Sequence, residues 1–157
     1  MEKLEAYATL LGRLLLSLIF IFAGIHKVFN LGGTIQYMAA HNMPMPELLV
    51  FLGIFVEIIG GFFVFLGYRA SFGAAILMLF LIPATLYFHG FWSYEGAAGV
   101  FQFQMFMKNL AIFGGLLYVF SHGPGLCSLE LFLKRKKEEG EEQMGPPGAP
   151  PGGLQIG

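Results

Sequence analysis

The sequence predicts an all-α integral membrane protein, a four-helix bundle whose helices cross the bilayer. Of the 157 residues, 56% are hydrophobic and 12% are charged, whereas soluble domains carry about 25% charged residues. The hydrophobic residues form four continuous runs of about 20 residues, the length of a helix that crosses a ~30 Å hydrocarbon core. The 22 Gly and 18 Phe residues suit helices packed closely in lipid. Runs that are continuous rather than alternating favour helices over the strands of a membrane barrel.

The four predicted spans contain few polar positions. In chain order they cover residues 9–29, 47–67, 70–92 and 103–121. Arg13 interrupts the first span, and the end of this span lacks the pattern of small residues found at a signal-peptidase cleavage site. We therefore predict an uncleaved span rather than a signal peptide. Residues 67–69 are a short connection, which predicts an antiparallel hairpin of the second and third spans. Residues 34–41 predict a short amphipathic helix before the helix breakers Pro44 and Pro46.

The composition changes after residue 133, where we predict a domain boundary. Residues 1–133 hold the four spans. Residues 134–157 are predicted to be a cytoplasmic tail, in which four basic residues precede an acidic run. From Met144 onward the chain is rich in Pro and Gly and has almost nothing to bury, so we expect this part to be disordered.

The distribution of cations predicts the orientation in the membrane. Four spans place the N-terminus, the hairpin and the C-terminus on one side. Of the nine Lys and Arg residues, only Lys27 and Lys108 lie on the other side. The positive-inside rule therefore predicts that both termini are cytoplasmic. The basic run at 134–137 is either a contact for anionic lipids or an anchor that stops transfer.

Glu57 is the most informative residue, because it places a carboxylate near the middle of the second span. Such a charge costs about 2.5–3.5 kcal/mol on insertion scales, so it should be paired, protonated or facing a polar cavity. Glycines at helical spacing on the same face predict that Glu57 faces protein. The candidate helix-packing residues, all glycines within spans, are Gly24, Gly53, Gly60, Gly61, Gly114 and Gly115.

Polar residues in or beside the other spans are candidate partners of Glu57 and candidate ligand-site residues. They are His26, Lys27, His89, Lys108 and Asn109. Helical side chains lean towards the N-terminus of their own helix, which brings Lys27 and His89 towards Glu57 in the outer half of the bundle. Arg13 leans instead towards the cytoplasmic headgroups, to which its long side chain can snorkel.

Several segments, in their order and spacing, resemble the DoxX family. They are residues 12–13 (Gly-Arg), 23–27 (Ala-Gly-Ile-His-Lys), 57–61 (Glu-Ile-Ile-Gly-Gly), 67–70 (Gly-Tyr-Arg-Ala), 108–117 (Lys-Asn-Leu-Ala-Ile-Phe-Gly-Gly-Leu-Leu) and 125–130 (Gly-Leu-Cys-Ser-Leu-Glu). The last segment has Glu130 where Asp is common in the family. The resemblance covers about residues 8–130 and implies a small four-helix inner-membrane protein of bacteria or archaea. Some members of the family are membrane subunits of quinone-linked sulfur-compound oxidoreductases, while many have no assigned activity.

Two classes of function remain open. The first is an accessory membrane component of a quinone-linked redox system, in which the polar residues of the outer half hold a quinone headgroup. Glu57 would accept a proton from the reduced quinone, and a redox partner protein would supply electrons, so the chain would be inactive alone. The second is a non-enzymatic membrane scaffold or binding partner, whose buried polar residues fix helix register. A transporter is a weaker alternative, since no broken half-helix or repeat is evident.

The sequence argues against several other kinds of site. His26 and His89 lack the clustered ligands of a metal or haem site. The single cysteine, Cys127, provides no disulfide or dithiol pair within the chain. No phosphate loop, catalytic triad or nucleic-acid patch is present. We therefore expect no metal, no covalently bound cofactor and no nucleic-acid partner, and we expect lipid to contact the Phe-rich faces.

Overall fold

The computed structural model describes residues 1–144, which form six α-helices and one short 3-10 helix. In chain order they are α1 (Glu2–Phe29), α2 (Leu31–Ala40), α3 (Pro46–Leu66), α4 (Ala70–Phe88), the 3-10 turn (Phe91–Ser93), α5 (Gly96–His122) and α6 (Leu129–Met144). This described part contains no strand, and α1, α3, α4 with the 3-10 turn, and α5 are each long and apolar enough to cross a membrane. The predicted all-α membrane fold with four spans is therefore confirmed.

Two helical stretches lie outside the four predicted spans. α5 begins at Gly96, so most of the stretch before the fourth predicted span is helical rather than a loop. α6 continues through the charged run, where Lys134 Nζ lies 3.3 Å from Glu130 Oε1 one turn earlier, a spacing that supports a helix. Of the segment predicted to be disordered, Met144 is the last residue of α6, and residues 145–157 lie outside the described part of the chain.

The hairpin between α3 and α4 depends on left-handed backbone. Gly67 ends α3 at φ +66°, and Arg69 precedes α4 at φ +47°. The missing Cβ makes this conformation accessible to Gly67 at little cost. The amide of Tyr68 then donates to the carbonyl of Phe63 at 3.2 Å, which closes the last turn of α3. The predicted antiparallel pairing of the two helices is observed.

The helices pack in the order α1, α3, α4 and α5, and α1 and α5 contact each other less extensively. The buried hydrophobic cluster lies where α3 and α4 meet the middle of α1 and the second half of α5. Its members are Phe20, Val64, Ala70, Ala74, Leu77, Met78, Leu81, Leu116 and Val119. Only Leu116 and Val119 of α5 are buried. The first half of α5 therefore packs against α4 and the 3-10 turn, outside this core.

Most of the predicted packing glycines lie at helix contacts. The three tightest, where an added Cβ would lie 2.6–2.9 Å from a side chain on another helix, are Gly24, Gly60 and Gly61. An added Cβ would lie 3.4 Å from a side-chain atom at Gly53 and 3.2 Å at Gly115, so these contacts are looser. Gly114 is exposed and has no atom within 4 Å of such a Cβ. Its prediction as a packing residue is wrong, because it lies on the outer face of α5.

Candidate functional site

The polar centre of the bundle is an ion pair between α1 and α3. Lys27 Nζ donates to both carboxylate oxygens of Glu57, at 2.7 Å each. Glu57 is 4% exposed, and α1 approaches it closely because Gly24 has no side chain to intervene. Among the candidate partners named from the sequence, the structure therefore pairs Glu57 with Lys27.

Lys27 is the more accessible member of this pair. The Lys27 side chain is 25% exposed, against 6% for that of Glu57. Lys27 also lines a cavity, whereas Glu57 is not part of its wall. An ammonium group has three N–H donors, and the two bonds to Glu57 leave one for a molecule in the cavity. The ion pair thus fixes a cationic hydrogen-bond donor at the wall of the cavity.

The cavity has a volume of about 590 Å³ and lies among α2, α3 and α4. It is at the end of the bundle that carries α2 and the 3-10 turn, which we call the α2 end. Its wall is mainly apolar, with polar contributions from Lys27, Thr34, Tyr37, Tyr87 and His89. Small-molecule sites in proteins are typically clefts of about 300–1,000 Å³, mostly apolar, with a few placed polar groups. Both the size and the lining of this cavity match that description.

His89, the residue that follows α4, holds the edge of the cavity against α5. Its Nδ1 lies 2.8 Å from Oε1 of Gln102. Since an amide oxygen only accepts hydrogen bonds, this contact assigns the proton of the neutral ring to Nδ1 and makes Nε2 an acceptor. Sequence reasoning missed Gln102, because the fourth predicted span begins only at residue 103. The signal would have been its helical spacing from Asn109, seven residues later.

Asn109 has a structural contact one turn deeper. Its Nδ2 donates to Oγ1 of Thr85 at 3.0 Å, and Thr85 is 8% exposed. The bond joins α5 to α4, and Asn109 is not part of the cavity wall. Asn109 and His89 therefore fix the first half of α5 to the end of α4, in a part of the helix that has no buried residue.

Tyr37, on α2, lines the cavity and was not predicted to do so. The ring of Tyr37 lies 4.3 Å from that of His41 and 5.5 Å from that of Phe88, measured between centroids. Partial burial, and then the neighbouring Tyr94, raise the pKa of the Tyr37 phenol above its ordinary value. The phenol therefore stays protonated at neutral pH and is available as a second hydrogen-bond donor. The sequence places Tyr37 on a short amphipathic helix but not over a cavity.

Two of the predicted site residues lie elsewhere. His26 is exposed and does not line the cavity, because it is one residue before Lys27 and therefore points about 100° away around α1. Lys108 is exposed as well, and its Nζ contacts Sδ of Met105 at 3.4 Å on its own helix. The expectation that His26 and Lys108 belong to a buried polar set is wrong.

The opposite end of the bundle joins three separated segments, and we call it the termini end. It holds the start of α1, the α3–α4 hairpin and the chain after α5. Arg13 is 3% exposed, and its guanidinium donates to the carbonyls of Pro124 and, at 2.9 Å, of Cys127. The amide of Glu130 donates to the carbonyl of Gly67 at 3.2 Å. The prediction that Arg13 snorkels to the headgroups is wrong, since the chain after α5 folds over it.

Comparison with known proteins identifies relatives over most of the chain. The DoxX family model matches residues 8–90. The inner membrane protein YqjF of Escherichia coli (strain K12) is 35% identical over 136 residues, which are 87% of this chain and 99% of that protein. The inner membrane protein YphA of the same organism is 31% identical over 121 residues, 77% of this chain and 86% of that protein.

A eukaryotic protein is similar over part of its length. The Surfeit locus protein 4 homolog of Schizosaccharomyces pombe is 32% identical over 128 residues, which are 80% of this chain but 37% of that protein. No solved structure matches the chain. The matched family region, residues 8–90, includes both members of the Lys27–Glu57 pair and His89.

Proposed function

The chain belongs to the DoxX family, and we propose that it binds a quinone in the cavity among α2, α3 and α4. The observation that carries the proposal is the placement of Lys27. Its ammonium group is fixed by Glu57 and exposed to a mainly apolar cavity. We place the protein in the inner membrane with both termini in the cytoplasm, where it would serve as an accessory component of a quinone-linked redox system.

A quinone suits this cavity because of its two chemical parts. The headgroup carries carbonyl oxygens, which accept hydrogen bonds, and the cavity offers the donors Lys27 and Tyr37. The tail is apolar and needs a groove lined by side chains such as Leu49, Val56 and Leu79, which line this cavity. A site of this kind binds through its apolar wall and orients its ligand through a few polar groups.

The structure changes the role that the sequence suggested for Glu57. Because Glu57 does not line the cavity, we propose that it acts through Lys27 rather than by taking a proton directly from a reduced quinone. Lys27 would hold one quinone oxygen. Nε2 of His89, the free acceptor of that ring, would receive one of the two protons that a quinol releases on oxidation, and the other proton would pass to water. A redox partner protein would exchange the two electrons, so the chain alone would bind quinone without turning it over.

The proposal is tested by quinone binding to the purified protein in mild detergent. Quenching of the single tryptophan, Trp92, by a short-tailed quinone gives the affinity, and quinone that co-purifies is identified by mass spectrometry. We expect saturable binding by the wild type and at least tenfold weaker binding by Lys27→Met and His89→Ala. The matched controls are Lys108→Met and His26→Ala, which change the same residue types outside the cavity and should bind as the wild type does.

A scaffold is the second candidate, favoured by one observation. The Lys27–Glu57 pair lies at the tight contact between α1 and α3 beside Gly24, where an ion pair would fix the register of the two helices. In that case Lys27 would be a structural residue, and the cavity that it lines would hold no ligand. Absence of saturable quinone binding by the wild type, or equal binding by all the variants, would favour the scaffold.

A further inference from the structure

A second cavity, separate from the proposed quinone site, lies between α1 and α5 at the termini end. Its volume is about 390 Å³. α1 contributes Thr9, Gly12 and Arg13 to its wall, and α5 contributes Gly115 and Tyr118. The cavity exists because α1 and α5 contact each other sparsely. It opens between two helices that both face lipid.

Arg13 brings a positive charge to this cavity that its protein contacts do not neutralise. The two identified partners of its guanidinium are the carbonyl oxygens of Pro124 and Cys127, which carry no net charge. Within residues 1–141, whose side chains the structure describes, the ion pairs between side chains are those of Lys27, Lys134 and Lys137, and none includes Arg13. Nε of Arg13 is buried without a hydrogen-bond partner. A buried cation in this state is costly unless an anion lies close by.

We propose that this cavity binds the phosphate of an acidic phospholipid, with Arg13 as the cation that recognises it. Arginine is well suited to phosphate, because its planar guanidinium offers five N–H donors in a fixed fork. Arg13 lines the cavity, so a phosphate held there would be next to its side chain, and opposite charges interact strongly within about 4–6 Å.

Depth and lining favour a lipid over a soluble anion. Arg13 lies four residues after the start of the first predicted span, which is about 6 Å along the helix axis. This depth is just inside the hydrocarbon, next to the headgroup region that carries the lipid phosphates. Ala8, Leu16 and Val119 complete the wall with apolar surface, which suits the glycerol and upper acyl chain of a lipid better than the water shell of free phosphate. An acidic headgroup fits better than a zwitterionic one, because it brings no second cation to Arg13.

Two glycines provide a matched pair of variants. Gly12 and Gly114 are both helical and exposed, and an added Cβ at either has no atom within 4 Å. Gly12 lines the cavity, and Gly114 does not. Leucine is a better helix former than glycine, so Gly12→Leu and Gly114→Leu should both fold. Only Gly12→Leu fills the cavity, and it leaves Arg13 and the basic run of α6 unchanged.

The test measures lipid binding to delipidated protein by native mass spectrometry and by the shift in thermal unfolding temperature. Phosphatidylglycerol, phosphatidylcholine with the same acyl chains, and inorganic phosphate are each titrated. We expect the wild type and Gly114→Leu to bind phosphatidylglycerol at least tenfold more tightly than phosphatidylcholine. We expect Gly12→Leu to lose at least tenfold in affinity for phosphatidylglycerol, and inorganic phosphate to give no comparable stabilisation.

Three outcomes would overturn the inference. Equal affinity of the wild type for the two lipids would show that the charge of Arg13 does not select an acidic headgroup, and this result is independent of any variant. Equal binding of phosphatidylglycerol by Gly12→Leu and Gly114→Leu would place the lipid elsewhere, with the basic run of α6 as the next candidate. Stabilisation by inorganic phosphate as large as that by phosphatidylglycerol would mean that the site takes a soluble anion.

Discussion

Removing the two members of the Lys27–Glu57 pair one at a time should have unequal effects on stability. Breaking a buried ion pair typically costs about 3–5 kcal/mol, because the remaining charge is left uncompensated. The side chain of Glu57 is 6% exposed, so Lys27→Met strands a carboxylate away from water and should cost this full amount. In Glu57→Gln the stranded Lys27 is 25% exposed and lines a cavity, where its ammonium group can be solvated. We expect about half the cost, ~2 kcal/mol.

The double variant measures the interaction between Lys27 and Glu57 separately from the contacts that each side chain makes with its surroundings. With both charges removed, no uncompensated ion remains, so Lys27→Met with Glu57→Gln should be less destabilised than the sum of the single variants by at least about 1.5 kcal/mol. The measurement is reversible unfolding in mixed micelles, followed by circular dichroism as a denaturing detergent is added. Lys108→Met is the control for loss of an exposed lysine and should change stability by less than about 0.5 kcal/mol. Additive single effects, or a larger cost for Glu57→Gln than for Lys27→Met, would refute this account of the pair.

Three further predictions concern the rest of the chain. A reporter fused after Gly157 should be active only in the cytoplasm, and periplasmic activity would invalidate the topology. Gly60→Leu should destabilise the bundle by more than about 2 kcal/mol, because an added Cβ at Gly60 already lies 2.9 Å from the Leu77 side chain. The control Gly114→Leu should leave the stability unchanged, and equal unfolding midpoints of the two variants would contradict this prediction. Cys127→Ser should leave quinone binding unchanged, because Cys127 lies at the termini end, opposite the cavity at the α2 end. Weaker quinone binding by this variant would show that the thiol contributes to binding.

The helical fold could be predicted because the membrane imposes it. Backbone groups in hydrocarbon must bond within their own helix, so long apolar runs leave few alternatives. The boundary of α5 could not be predicted in this way. The residues from Gly96 to Gln102 are rich in small residues, and they become helical where the helix packs against α4 through His89 and Thr85. That contact joins parts of the chain whose pairing no local pattern reveals.

The sequence predicted that a polar site exists around Glu57, but it did not predict which residues belong to that site. A carboxylate within a span requires a partner, and the lean of helical side chains narrowed the choice towards Lys27 and His89. His26 could not be separated from Lys27 by depth, since they are adjacent, and only the rotation of α1 against α3 decided which one faces Glu57. Tyr37 joins the site because α2 folds across the cavity.

The sequence by itself determined that this chain spans a membrane four times, that Glu57 must be partnered, and that the α3–α4 connection is a hairpin. These properties follow from local chemistry, namely the cost of charge and of unpaired backbone in lipid. Only the tertiary structure decided the partner of Glu57, the burial of Arg13 under the chain after α5, and the two cavities. They depend on contacts between residues far apart in sequence, such as the hydrogen bond from Glu130 to Gly67, and such contacts form only when whole helices pack.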